Sequence, residues 1–124
     1  MNEKNQTKIV LFQNKEIRKT FHANEWWFSV VDVIKVLTDS IDSKDYWYKM
    51  KIRVKSEDKI ELSTICRQFK LEAPDGKMRE TDCSNTEGLL RIIQSIPSPR
   101  AEPFKRWLAK VGYERIQEIE DPEL

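Results

Sequence analysis

A chain of 124 residues with 39% apolar and 35% charged side chains, three Gly and five Pro can bury one core and falls outside the collagen-like, low-complexity and disordered classes. Its net charge of +1, from 22 Lys/Arg against 21 Asp/Glu, is far from that of proteins that coat polyanions indiscriminately. No run approaches the roughly 18 apolar residues of a membrane span, and the opening MNEKNQTK lacks a signal-peptide core, so a cytoplasmic location without membrane contact is expected.

In chain order, KIVLF, EIRKTF and EWWFSV are short runs rich in β-branched and aromatic residues, separated by QNK and HAN. They read as an antiparallel meander of two or three strands. Ser29 then opens a helix, because Asp32 completes a capping box and Val30, Val33, Ile34 and Leu37 recur at i, i+3, i+4, i+7. The polar TDSIDS interrupts it, and Asp42 or Ser43 can cap a second helix through KDYWYKMKIRV. Tyr46, Trp47, Met50 and Val54 would pack inward on that helix. Lys44, Tyr48, Lys49, Lys51 and Lys55 would point outward, with Arg53 near the edge. The outline is helix-turn-helix-like, and a lysine-rich surface αα-hairpin would share it.

SEDKIELST reads as a loop, and IELSTICRQF fits a helix or a strand equally. QFKLEAPDGKMRETDC is a hairpin signal, since Pro74, Asp75 and Gly76 suit successive positions of a type I turn. With a loop of Ala73 to Gly76, Glu72 would face Lys77, Leu71 would face Met78 on the inner side, and Lys70 would face Arg79. That last like-charge pair suggests a polyanion, or a neighbouring carboxylate such as Glu80 or Asp82, to neutralise it. Ser84 with Glu87 forms a second capping box ahead of the stripe Leu89, Ile92, Ile93 and Ile96, which Pro97 ends. Leu90 is expected to be buried too. Ser98 caps the last helix with Pro99 at its first position; Phe104, Leu108, Val111, Ile116 and Ile119 form its buried side, Trp107 flanks them, and Arg106 and Lys110 point out. The expected fold is a single α+β domain of meander, helix pair, hairpin and two-helix corner, ordered over about 8–119.

Charge is distributed unevenly along this plan. Residues 44–79 hold ten Lys/Arg against six Asp/Glu, whereas residues 113–124 hold one against five. The basic third supplies the candidate contacts to duplex DNA: Lys44, Tyr48, Lys49, Lys51 and Arg53 from the second helix, and Lys70, Lys77 and Arg79 from the hairpin. Catalysis and metal binding lack residues. Cys66 and Cys83 are neither closely spaced nor near His22, the sole histidine, and no Gly-rich phosphate loop or Gly-x-Ser-x-Gly elbow occurs. A nuclease reading of Pro74-Asp75 fails because no Asp/Glu-x-Lys follows at a useful distance. No enzyme activity, metal or cofactor is expected.

EWWFSVVDVIKVLTDS, followed by YW, and DGKMRETDCSNTEGLLRIIQSIPSPRAEPFKRWLAKVGYERI resemble the Bro-N domain, the N-terminal module of baculovirus BRO proteins and of many phage and prophage antirepressors. The likeness runs from about Ile17 to Ile119, and its most specific part is TEGLLRIIQSIPSPRAEPFKRWLAKVG. It implies an α+β DNA-binding domain of a transcription regulator. It also implies a second, C-terminal domain that engages a partner such as a repressor, toward which the acidic 120–124 would be a linker. The alternative is a protein-interaction module, engaging a repressor or a toxin-antitoxin-type partner without touching DNA.

Overall fold

The computed structural model describes residues 6–120, with side chains through Val111. The acidic residues after Glu120, and the side chains of Ile116 and Ile119, lie outside this description. Elements follow in the order β1 Lys8–Phe12, β2 Lys15–His22, β3 Glu25–Ser29, α1 Val30–Thr38, α2 Ser43–Asp58, a 3-10 turn Leu62–Ile65, β4 Arg67–Glu72, β5 Met78–Ser84, α3 Thr86–Ile93 and α4 Ala101–Glu120. The ambiguous IELSTICRQF thus splits into the turn and the start of β4.

The strands form one antiparallel sheet in the order β1-β2-β3-β5-β4. Two-residue loops close the meander, with positive φ at Gln13, Asn14, Ala23 and Asn24. Paired positive φ values give the primed turns whose twist matches that of the flanking strands. The hairpin joins the meander where Phe28 stands opposite Ser84 and Ser29 opposite Cys83. The sheet curls until β4 nears its far side, where the Glu72 amide donates to Thr7 Oγ1 at 2.8 Å and Arg18 Nη1 donates to the Glu72 carbonyl at 3.2 Å.

One face of the sheet, carrying Val10, Phe12, Ile17, Trp26 and Phe28, shares a core with all four helices. Trp27, Phe69, Leu71 and Cys83 pack together on the other face. The aromatic contact of Phe104 with Phe12, edge to face at 5.0 Å, ties α4 to the meander. Arg18 fastens the sheet to α1, its Nε bonded to Asp32 at 2.8 Å and its Nη2 to the capping Ser29 hydroxyl at 3.3 Å. Hydrogen bonding and charge from Asp32 outweigh the cost of partial burial and raise the guanidinium pKa further.

The corner between α3 and α4 acts as a clamp. Helix C-termini leave carbonyls without intrahelical donors. The Ser98 hydroxyl donates to the Leu37 carbonyl at 2.6 Å and Arg100 Nη1 to that of Val36 at 2.6 Å, while Arg100 Nη2 pairs with Asp39. From α2, Arg53 Nη2 donates to the Ser95 carbonyl at 2.9 Å. The SIPSPR segment therefore holds both helices of the helix-turn-helix-like pair.

Four local expectations need correction. The hairpin turn contains one residue more than expected: the Gly76 amide donates to the Ala73 carbonyl, and the Ala73 amide then pairs with the Lys77 carbonyl. Gly76, at φ +85°, is the left-handed residue that a three-residue loop with a bulge requires. The register becomes Glu72 opposite Met78, Leu71 opposite Arg79 and Lys70 opposite Glu80, so Met78 is exposed instead of buried. Second, Asn85, not Ser84, caps α3, accepting from the Gly88 amide at 2.9 Å, while Ser84 Oγ donates to the Ile65 carbonyl. Third, α3 ends at Ile93, short of Pro97, and α4 starts at Ala101, after Pro99, although Ser98 Oγ still accepts from the Arg100 amide. Fourth, Leu90 lies at the exposed edge of α3, whose buried side is Leu89, Ile92 and Ile93.

Gly88 is squeezed against this packing. A Cβ there would lie 2.0 Å from Ser84 Oγ and 3.0 Å from the Ile65 carbonyl oxygen. Helix propensity alone favours Gly88→Ala by about 1 kcal/mol. Displacement of Ser84 outweighs that, and the variant should lose about 1–3 kcal/mol of stability. Thermal unfolding monitored by circular dichroism checks it; a melting temperature at or above the parent's would show that Ser84 yields without cost.

Candidate nucleic-acid interface

Helix α2 starts where the Asp42 carboxylate accepts from the Asp45 amide at 3.1 Å and ends at Lys59 in the left-handed region. Trp47, Met50 and Val54 are buried, and Tyr46 packs at the core edge. Lys44, Tyr48, Lys51 and Lys55 recur at i, i+4, i+7 and i+11, so they share one flank of the helix. Tyr48 is 61% exposed.

That flank is fastened to the hairpin through Asp82. Its Oδ2 accepts from Trp47 Nε1 at 2.8 Å and lies 3.6 Å from Lys51 Nζ, and its Oδ1 accepts from Gln68 Nε2 at 3.0 Å. Partial burial works against the Asp82 charge, but the Trp47, Gln68 and Lys51 donors together outweigh it and hold the carboxyl below its ordinary range. Lys51 also lies 5.1 Å from the Trp47 ring centroid. Lys55 pairs with Glu61 at 3.1 Å, holding that carboxyl low as well.

The eight candidate residues do not form one surface. Lys44, Tyr48 and Lys51 lie together on the α2 flank. Lys49 sits farther round the helix, paired with Asp45 at 3.0 Å. Arg53 is on the side toward the α3–α4 corner, occupied with the Ser95 carbonyl. Lys70 lies on the hairpin face of Gln68 and Asp82, hence toward α2, and stands opposite Glu80. Arg79 lies opposite Leu71 on the other face, paired with Asp75, whose carboxyl is lowered by the Lys77 amide and by Arg79. Lys77 is in the turn. The like-charge pairing of Lys70 with Arg79 therefore does not exist, and the argument for a polyanion drawn from it falls. Lys55, outward in the sequence reading but left out of the contact set, belongs with Lys44 and Lys51; its periodicity was the signal available.

A groove of about 760 Å³ lies elsewhere, against β1, α1 and the hairpin turn. Its charges largely neutralise one another, as Arg18 pairs with Asp32 and Lys15 with Asp39. Among the described residues no cluster of His, Cys, Asp and Glu could hold a metal ion, and no helix is long and apolar enough to cross a membrane.

The sheet, the clamped helix pair and the exposed flank of α2 define a small α+β domain that presents one helix at its surface. The chain belongs to the BRO family: the pattern of that family's N-terminal domain, Bro-N, matches residues 16–116. No curated protein and no solved structure matches the chain.

The Asp82 junction has a signature in acid. A carboxyl lowered in the folded state contributes stability that is complete above its unfolded pKa, about 3.9, and is lost as pH falls through the folded value. Asp82→Asn should lose about 1–2 kcal/mol at pH 7, the scale of hydrogen bonds to a charged group. The difference from the parent should close once the parent's own carboxyl is protonated. Urea unfolding at stepped pH measures it; a gap constant from pH 7 down to pH 2 would mean that the Asp82 charge contributes nothing.

Proposed function

We propose that the domain binds duplex DNA through the flank of α2 that carries Lys44, Tyr48, Lys51 and Lys55, as the DNA-contacting module of a phage- or prophage-type transcription regulator. One observation carries this reading: the second helix of a helix-turn-helix-like pair buries Trp47, Met50 and Val54 while Lys44, Tyr48 and Lys55 on its basic flank stay exposed. In that motif the second helix enters the major groove and its neighbour crosses the backbone. Lysines are suited to phosphate, and an exposed tyrosine can reach phosphate or base. The Lys55–Glu61 ion pair is no obstacle, since exposed pairs contribute little and exchange readily, while Lys51 adds its charge from beside Asp82. Membership in the BRO family agrees with a regulatory role.

The proposed role is binding without catalysis. Burial pushes both the Cys66 and Cys83 thiols up to about 12, far from a reactive thiolate at neutral pH. His22 packs against the Phe69 ring at 5.2 Å. A second reading, docking of a protein partner such as a repressor, draws on the edge strand β1, whose Ile9 and Leu11 are 54% and 53% exposed.

Lys44→Ala with Lys55→Ala separates these readings. Each true phosphate contact adds about 0.9 to the slope of log affinity against log salt for duplex DNA. The double variant should therefore lower the slope by about 1.8 and melt like the parent. Fluorescence anisotropy with a labelled duplex at several salt concentrations reads it. Unchanged affinity and slope would reject the α2 flank, and Ile9→Lys with Leu11→Lys would then test the β1 edge for partner docking.

A further inference from the structure

A second pocket, about 450 Å³, opens between the 3-10 turn, the start of β4 and the first turns of α3. It lies within the size range of small-ligand sites. The turn that forms one wall packs against α2, so the pocket and α2 border the same segment. Arg67 and Arg91 both line it, as does the buried Trp27.

Elsewhere most arginines are already engaged. Arg18, Arg79 and Arg100 are in ion pairs, and Arg53 is bonded to a main-chain carbonyl. Arg67, Arg91 and Arg106 have no ion pair or hydrogen bond from their guanidinium groups among the described residues, and two of these three meet at this pocket. Nothing in the sequence marked them, because residue 67 begins a strand and residue 91 sits 24 positions later on a helix.

The Arg67 guanidinium carbon lies 5.7 Å from the Trp27 ring centroid and 5.9 Å from that of Phe69. Contact with two aromatic rings restrains a guanidinium while leaving its N–H edge available, which prepares it for two-pronged bonding to phosphate oxygens. Arg91 follows Gly88 by three residues and so projects from the same side of α3. Bulk at Gly88 is excluded by Ser84 and Ile65, which keeps this wall at backbone height. Glu87 also lines the pocket, but one carboxylate against two guanidinium groups leaves the site positive. Asn85 is occupied with the Gly88 amide and Glu25.

We propose that Arg67 and Arg91 bind a phosphoryl group in this pocket, supplied either by a nucleic acid strand that continues past α2 or by a free nucleotide. The first source rests on the DNA-binding reading above; the second does not. The test compares the parent with Arg67→Ala plus Arg91→Ala on two probes, a labelled DNA duplex and deoxyadenosine monophosphate. Thermal melting controls for folding, and Arg91→Ala alone, at an exposed helix position, replaces the double variant if the latter fails to fold.

If a strand supplies the phosphate, the double variant lowers the duplex salt slope by about 1.8, or Arg91→Ala alone by about 0.9. If a free nucleotide does, the parent shows saturable chemical-shift changes with deoxyadenosine monophosphate that the variant loses at least tenfold in affinity. An unchanged duplex slope together with no saturable nucleotide binding by the parent overturns the proposal, even where the α2 variants weaken DNA binding and that reading stands. Should the parent bind no duplex at all, the DNA-binding reading fails, and the nucleotide titration alone decides the pocket.

Discussion

One carboxylate determines how α2 meets the rest of the molecule. Asp82 accepts from Trp47 on the helix and from Gln68 across the hairpin, and it lies beside Lys51. Arg53 holds the opposite side of the same helix to the α3–α4 corner. A helix restrained on both sides, with its apolar face buried, has limited freedom to tilt or slide. Its basic flank, fastened at Lys51, is presented in a fixed orientation. Preorganisation of this kind reduces the ordering cost of binding, which suits a domain whose net charge of +1 gives little long-range attraction to a polyanion.

Asp82 reaches α2 only because of the residue count in a turn far from it. Gly76 adopts φ +85° and lengthens the loop by one position relative to a plain four-residue turn. A shift of one residue sends every side chain of a strand to the opposite face. In the shorter register Asp82 would turn away from Trp47 and Lys51, and Met78 would turn inward. The actual register leaves Met78 in solvent, while Leu71 stays in the second core cluster, as it would in either register. Local turn chemistry and long-range electrostatics are linked through β5.

What the sequence conveyed follows the same division. The meander, the inward stripe of α1, the buried Trp47, Met50 and Val54, and the buried Leu89, Ile92, Ile93, Ile96, Phe104, Leu108 and Val111 were legible because each follows from a period of 2 or 3.6. The hairpin was legible as a hairpin but not in its register, since Pro-Asp-Gly is compatible with Gly76 either as the last residue of the turn or as an added bulge. Asn85 and Ser84 are both competent caps, and the choice fell to Asn85 because Ser84 is engaged with the Ile65 carbonyl across the chain. Among the candidate contacts, periodicity put Lys44, Tyr48, Lys49, Lys51 and Lys55 outward and Arg53 near the edge, but it could not reveal that Arg53 is bound to a carbonyl in another element. The convergence of Arg67 and Arg91 depends wholly on tertiary structure.

On the DNA-binding proposal, a clamped α2 offers its Lys44, Tyr48, Lys51 and Lys55 flank to duplex DNA. The most direct measurement is an amide chemical-shift titration of the isotope-labelled protein with duplex DNA, carried to saturation. The largest changes are expected at residues 44, 48, 51 and 55, extending to Gln68 and Lys70 on the adjoining hairpin face, while β1 and Arg79 stay nearly unmoved. Changes centred on Ile9 and Leu11, or no changes at any DNA concentration, would contradict it.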